Sequence, residues 1–458
     1  MSNSVIFISA GLIKGKKDYG SISQLNQYLN VGALSLANTL KHKDYQIILL
    51  HGDYKKPEDI ISFLSEKEYL KTNYPICLSI PSIYAVQWAS DFCKRLKSTK
   101  PELRIIAGGR GTSSLKKGWL KNKIPEIDYI HSGYADSYIE SFIKNDYDNK
   151  GTAFSTHEDN NVDYKIIHEY QKYNPSVEIY RGCGKGCYFC IDKNIKFTTL
   201  KNPIQICDAI ENAINCYEDK NIELYLEASH FKMNKQTSAI FSSEYNKRGL
   251  ETHWRCESRV DSMDNDTIEN LFNAGLRVID VGLESGSAAQ IRNMGKAKNP
   301  DSYLAKACSM LEKCKELGIW TKINIMLYPG ETLRTIEETS KWLSNNKRYF
   351  KGVSIFPLTI YGNDKNTDNY LDSLKKYGAV PVSINDMENN GYCNLHLSNS
   401  IKYEDSIRIS RELSKEFMTD KDYFDLKSFG YFERGFDYQK FRDMILKSDS
   451  ENLPFTIT

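Results

Sequence analysis

Three cysteines share one short stretch, Tyr180-Arg181-Gly182-Cys183-Gly184-Lys185-Gly186-Cys187-Tyr188-Phe189-Cys190, a C-x3-C-x2-C run after the strand-like Val177 to Tyr180. Thiolates are soft ligands that select iron–sulfur clusters, zinc or copper(I). Ferredoxin clusters take four cysteines. Here three converge, and no fourth lies in the same loop. A cubane held by three thiolates keeps one iron open, and an open metal position is what reactivity needs. Gly182, Gly184 and Gly186 suit a backbone that wraps a bulky group, because glycine tolerates the φ values such turns demand. The competing readings are a structural zinc site and three unligated thiols. Zinc asks for a tetrahedral fourth partner, from a second C-x-x-C or an H-x3-5-H pair. Cys77, Cys93, Cys207, Cys216, Cys256, Cys308, Cys314 and Cys393 form no such pair.

Other residues that can do chemistry stand at the ends of apolar runs. Glu227 follows Leu224-Tyr225-Leu226, Arg259 ends Trp254-Arg255-Cys256-Glu257-Ser258-Arg259, and Glu284 lies in Gly282-Leu283-Glu284-Ser285-Gly286. A carboxylate at a strand end accepts charge-assisted hydrogen bonds. Arg259 is expected to pair with Glu284 or with a substrate carboxylate. Tyr328-Pro329-Gly330-Glu331-Thr332 makes a turn into a helix, with Glu331 expected in the first helical turn, where the dipole favours negative charge.

The elements that must position these residues read as two βα series. In residues 1–145, short apolar strands at Val5–Ser9, Tyr45–Leu50, Ile76–Ile80, Arg104–Ala107 and Tyr129–Ile130 alternate with helical periods near 31–41, 85–96 and 137–144. Such alternation predicts a parallel sheet covered on both faces, a flavodoxin- or Rossmann-like doubly wound domain that binds ligands at its carboxyl strand ends. Residues 146–174 are polar and read as a linker. Six further βα units follow in 175–365, too few for a closed eightfold barrel and matching a partial (βα)6 barrel of TIM type. Residues 366–458 are expected to form a small, mainly helical C-terminal cap, its many aromatics packing a core of their own.

Composition narrows the function classes. The 458 residues carry a formal net charge of +2, with 40% hydrophobic and 26% charged residues, as an ordinary soluble globular protein does. That charge predicts neither a nucleic-acid nor a membrane partner, and no apolar run is long enough to span a bilayer. Met1-Ser2-Asn3-Ser4 leads straight into a strand, without the look of a signal peptide. Eleven scattered cysteines argue against a disulfide framework and for a reducing cytoplasm.

With Phe189 directly before Cys190, the cysteine run resembles that of the radical SAM superfamily. The resemblance implies a [4Fe-4S] cluster on Cys183, Cys187 and Cys190. Its open iron would chelate the amino and carboxylate groups of S-adenosyl-L-methionine (SAM), which electron transfer splits to give a 5′-deoxyadenosyl radical. The segments at Glu284 and at Pro329-Gly330-Glu331-Thr332, with Met294-Gly295-Lys296, fall in family order. The likeness implies that Phe189, Glu227, Arg259, Glu284, Pro329 and Gly330 contact the cofactor, Glu227 taking the methionine ammonium and Glu284 the ribose.

The first domain resembles the cobalamin-binding domain that precedes many radical SAM barrels. This implies contacts from Ser79, Ser82, Gly108, Gly109, Thr112 and Gly133. The Asp-x-His-x-x-Gly motif is absent, and Gly133-Tyr134-Ala135-Asp136 stands where the family has Gly-Glu-Gly-Glu. The expected function is cobalamin-dependent C-methylation of a natural product, peptide or other biosynthetic intermediate, with a flavodoxin or ferredoxin as reductant. The alternatives are radical SAM oxidation, rearrangement or cyclisation without methyl transfer, and, in another class, an iron–sulfur redox sensor or electron carrier.

Overall fold

The computed structural model describes residues 3–15, 19–113, 115–148, 162–362, 365–383, 385–448 and 450–458. Its first sheet is built from β1 (Val5–Ser9), β2 (Ile47–His51), β3 (Ile76–Ser79), β4 (Ile105–Gly108) and β5 (Tyr129–Ile130), all parallel, in the order β2-β1-β3-β4-β5. Every residue of β1 is buried, as an apolar run inside a two-faced sheet must be. Val5 and Phe7 pack towards the helix Val31–Lys41, whereas Ile6 and Ile8 face the helices Pro57–Glu66 and Val86–Thr99. The chain reverses direction across the sheet between β1 and β3, the crevice where doubly wound sheets take ligands. The expected doubly wound fold is therefore present.

The second sheet runs β12-β11-β10-β9-β8-β6-β7. Its strands are β6 (Ser176–Arg181), β7 (Thr198–Thr199), β8 (Glu223–Ala228), β9 (His253–Arg259), β10 (Leu276–Glu284), β11 (Trp320–Leu327) and β12 (Gly352–Pro357). Six are parallel, and only the two-residue β7 pairs antiparallel with β6. Helices follow the strands as expected, many started by local chemistry. Asn202 and Asn299 cap helices whose first residues are Pro203 and Pro300, where proline loses no needed N–H. The helix after β11 begins at Leu333 with Thr332 as its N-cap, so Glu331 lies outside it rather than in its first turn.

The polar stretch expected as a linker is packed where it is described. Tyr164, Ile166 and Ile167 are buried and Ile167 bridges to Leu49, while 149–161 lie outside the described residues. The C-terminal region is mainly helical, with Tyr403–Phe417, Asp420–Ser428 and Tyr438–Ile445, and Tyr423, Phe424, Phe432, Phe441 and Phe455 share one buried cluster. Two of its strands, β14 (Val380–Pro381) and β15 (Tyr392–His396), join β13 (Thr359–Tyr361) of the preceding segment in an antiparallel sheet, and such short, weakly periodic strands leave little trace in the sequence. Its chain seals the barrel floor. Arg255, wholly buried, donates to the carbonyls of Leu426 and Phe429 and to Asp280, and the Tyr431 ring lies 4.3 Å from the guanidinium.

Candidate active site

The cysteine loop leaves β6 through a glycine that nothing else can replace. Gly182 has φ +68, and a Cβ there would collide with the carbonyl oxygen of Lys196. Gly186, at φ +72, faces open space with nothing within 4 Å of such a Cβ. Cys187 is buried, Cys183 and Cys190 are half-buried, and all three thiols are free. The Cys190 N–H donates to the Cys187 carbonyl at 3.1 Å, and the Tyr188 N–H to that of Met294 at 3.0 Å. Burial pushes the Cys190 thiol up, opposed by a hydrogen bond with the Asp192 backbone; the Asp192 carboxylate and the Cys187 and Cys183 sulfurs push it up further, so the three sulfurs feel one another.

Arg259 holds this loop. One guanidinium nitrogen donates to the Cys187 sulfur at 3.2 Å, another to the Lys296 carbonyl at 2.8 Å, and the fork also grips Asp261. The expected Arg259–Glu284 pair is not formed. Glu284 instead accepts from the Lys296 ammonium at 2.9 Å. Against β11 the register of β10 shifts between Gly282 and Glu284, and Glu284 sits at φ +72. A non-glycine residue in that region is held by its surroundings and marks a functional candidate. The Lys296 ammonium lies 5.9 Å from the Phe189 ring, and Phe189 meets Tyr328 edge-on at 6.4 Å.

The Pro329-Gly330 turn is pinned by the Gly330 N–H donating to Leu397 at 2.8 Å. Glu331, 1% exposed, has its carboxyl raised to about 7 by burial, opposed chiefly by the hydrogen bond that the Thr335 hydroxyl donates to it. Acids form a row across the barrel, Glu178 opposite Glu227 and Asp280 opposite Glu257. Glu227 is raised to about 8, first by burial and then by Glu257 and Glu178. Asp280 stays ionised between Arg255 and Lys322, the latter at 2.7 Å.

A cavity of about 1140 Å³ opens between the carboxyl edge of the first sheet and this barrel mouth. Ser79, Ser82, Gly108, Gly109 and Gly133 line it from one side, Phe189, Cys190 and Glu227 from the other. Cys183, Cys187, Arg259, Glu284, Pro329 and Gly330 lie outside that lining. Thr112 also falls outside it: its hydroxyl donates to the carbonyls of Gly109 and His131, so it braces the loop. Gly109 is required by its neighbour, since a Cβ would sit 2.7 Å from the Ile80 carbonyl, whereas Gly133, at φ +99, meets nothing. An apolar extension runs inward between the sheet and its helices, past Phe7, Cys77, Ile106, Ala33, Leu36 and Phe142.

Sequence reasoning missed Asn30, whose amide nitrogen bridges Ser9 and Ser79 at 2.9 Å each and whose N–H donates to His51 at 3.0 Å. It caps the first helix, a local signal that names the helix start but not the three strand ends it ties. It also missed Tyr28, Tyr370, Asp136, Arg181 and Asp192, which line the cavity from distant parts of the chain.

Three free thiols in one glycine-rich loop, one already accepting from a guanidinium, are a donor set of the kind that holds iron–sulfur clusters. Among the described residues, no three His, Cys, Asp or Glu side chains are gathered as one metal ion would need. None of the described helices is long and apolar enough to cross a membrane.

Residues 177–343 match the Radical SAM superfamily. An uncharacterised methyltransferase of Pyrococcus horikoshii is 24% identical over 164 residues, 35% of each chain. A tRNA-2-methylthio-N(6)-dimethylallyladenosine synthase of Campylobacter hominis is 24% identical over 278 residues, 56% of this chain and 61% of its own. The chain thus spans less than two thirds of the length of these curated relatives. Among solved structures, the cobalamin-dependent SAM radical enzyme OxsB, with aqua-cobalamin and SAM bound, superposes with a TM-score of 0.61 at 17% identity, covering 82% of this chain and 56% of its own. The radical SAM methyltransferase TsrM of Kitasatospora setae, with tryptophan and a SAM analogue bound, gives 0.58 at 12% identity, covering 77% and 73%. At these identities the structural likeness concerns the fold.

Proposed function

Because this chain carries a domain of the radical SAM superfamily, we propose that it is a cobalamin-dependent radical SAM methyltransferase acting on an unactivated carbon of a small molecule or peptide. Cys183, Cys187 and Cys190 would hold a [4Fe-4S] cluster, with SAM beside Phe189, Glu227, Arg259, Glu284, Pro329 and Gly330. When bound, the cluster supplies the electron that divides SAM into methionine and a 5′-deoxyadenosyl radical, and cobalamin supplies a transferable methyl group.

The chain's own residues orient these groups and keep water out. Arg259 donates to the Cys187 sulfur and so disperses the charge of a thiolate there. Glu227, its carboxyl raised to about 8, takes up an ammonium by releasing its proton. The Lys296 ammonium neutralises Glu284 and leaves the other carboxylate oxygen to accept from ribose hydroxyls. Phe189 and Tyr328 wall the loop with apolar surface.

The observation that carries the cobalamin part is the cavity. Its volume of about 1140 Å³ exceeds the roughly 300–1,000 Å³ of ordinary small-molecule sites. It joins both halves of the chain, and its apolar extension suits a flat aromatic appendage. A second reading, radical chemistry without methyl transfer, draws on Asp136 and Tyr134, which line the cavity but are already engaged with Arg181.

The test is anaerobic loading with iron and sulfide, then SAM and dithionite. Wild type is expected to turn brown and release 5′-deoxyadenosine, and Cys187→Ala to do neither. Hydroxocobalamin retained through desalting supports the methyltransferase. A brown, cobalamin-free protein that still cleaves SAM selects the second reading. Zinc in the cysteine loop would refute both. Flavodoxin or ferredoxin is the expected reductant in the cell.

A further inference from the structure

Two ion pairs of opposite polarity tie the two ends of the cysteine loop to the first sheet. At the entrance stands Arg181, 8% exposed, immediately before Gly182-Cys183. Its guanidinium donates to both Asp136 carboxylate oxygens, at 3.0 and 3.1 Å, and to both oxygens of Glu178, at 2.7 and 2.8 Å. Glu178 belongs to β6, but Asp136 comes from the loop after β5, and the Tyr134 ring of that loop covers the guanidinium at 4.4 Å. At the exit stands Asp192, two residues beyond Cys190 and 7% exposed. It accepts from Arg110, just after β4, at 2.9 Å and from the Ser229 hydroxyl at 2.8 Å. An arginine from the barrel meets an acid from the sheet at one end, and an acid meets an arginine at the other.

Bidentate arginine–carboxylate geometry fixes orientation as well as distance. Contacts between buried charges are costly to lose: without the Asp136 carboxylate, Arg181 is left with Glu178 of its own strand, and without the more exposed Arg110, buried Asp192 keeps the Ser229 hydroxyl. The strand pairing of each sheet is made by its own strands, so these contacts add only a link between the two. We propose that Arg181 and Asp192 are positioning residues: through Asp136 and Arg110 they clamp the cysteine loop to the first sheet. The two pairs thereby set the spacing between the loop's open face and whatever the sheet's carboxyl edge binds. This rests on the loop holding a cluster; the clamp itself does not.

The test is hydrogen exchange, read by mass spectrometry over 183–195, on the iron-loaded full chain as wild type, Asp136→Asn and Arg110→Met. The reporters are the bonded N–H groups of Tyr188, Cys190 and Lys193. Asp136→Asn is expected to speed exchange there at least about tenfold and Arg110→Met, which loses one contact from an exposed arginine, about three- to fivefold, while β9, β10 and β11 stay protected. The reduced chain's electron paramagnetic spectrum is expected to broaden as the thiolate geometries spread, a change that mere support of the 133–136 loop would not produce. Exchange over 183–195 within about twofold of wild type, or changes confined to 133–139, overturns the clamp. Arg110 is half exposed, its side chain 60% accessible; should Asp136→Asn fail to fold, Arg110→Met decides alone. If wild type loads no iron, the cluster reading fails, and the same comparison on the iron-free chain still decides the clamp.

Discussion

Glu331 gives the sharpest quantitative expectation, because a buried acid held by neutral donors must leave a signature in the pH dependence of stability. Its carboxyl is raised from an ordinary 4.5 to about 7, mainly by burial, although Thr335 donates to it. The folded chain therefore keeps a proton that the unfolded chain has released between those two values. Stability contributed by that proton is complete below 4.5 and falls as pH rises through 7. The shift corresponds to about 3 kcal/mol by pH 8. Glu331→Gln keeps the acceptor for Thr335 and has no charge to bury. Wild type and variant should unfold alike at pH 4.5 and diverge as pH rises, the variant being the more stable by about 3 kcal/mol at pH 8. For a cooperative unit of about 150–250 residues that is a gain of roughly 6–12 °C in Tm. Thermal unfolding of the iron-free chain at half-unit pH steps measures it. A difference that stays flat from pH 5 to 8 refutes the argument, because it would mean that Glu331 is as well solvated in the fold as outside it.

Two further outcomes follow from the cysteine loop. Gly182→Ala forces a Cβ against the Lys196 carbonyl at φ +68 and should abolish iron loading, whereas Gly186→Ala meets open space and should cost only the roughly 1–2 kcal/mol of a left-handed alanine; equal iron content in the two variants would contradict the loop geometry. Arg259→Gln removes the positive donor from the Cys187 sulfur and should move the reduction potential of a bound cluster to more negative values; a potential unchanged in a redox titration would mean that the guanidinium does not act on the sulfur.

Much of this molecule is written in local pattern. The C-x3-C-x2-C spacing, the glycines between, and short apolar runs separated by capped helices depend only on near neighbours along the chain. The doubly wound sheet and the six-stranded parallel barrel are therefore legible in the amino-acid sequence alone. What the sequence leaves open is every relation between residues far apart. Its strand-end pattern suggests Arg259 as a partner for Glu284, yet the bulge in β10 turns Glu284 towards Lys296 and frees Arg259 for the Cys187 sulfur. Thr112 sits in a glycine-rich strand end like its neighbours, but its hydroxyl closes on local carbonyls. Asp136 and Arg181 are 45 positions apart, and no periodicity links them. Hydrophobic spacing records which face of an element is buried, because water meets each residue in turn. Which charges then face each other across a cavity depends on how two sheets dock, and only the folded chain decides that.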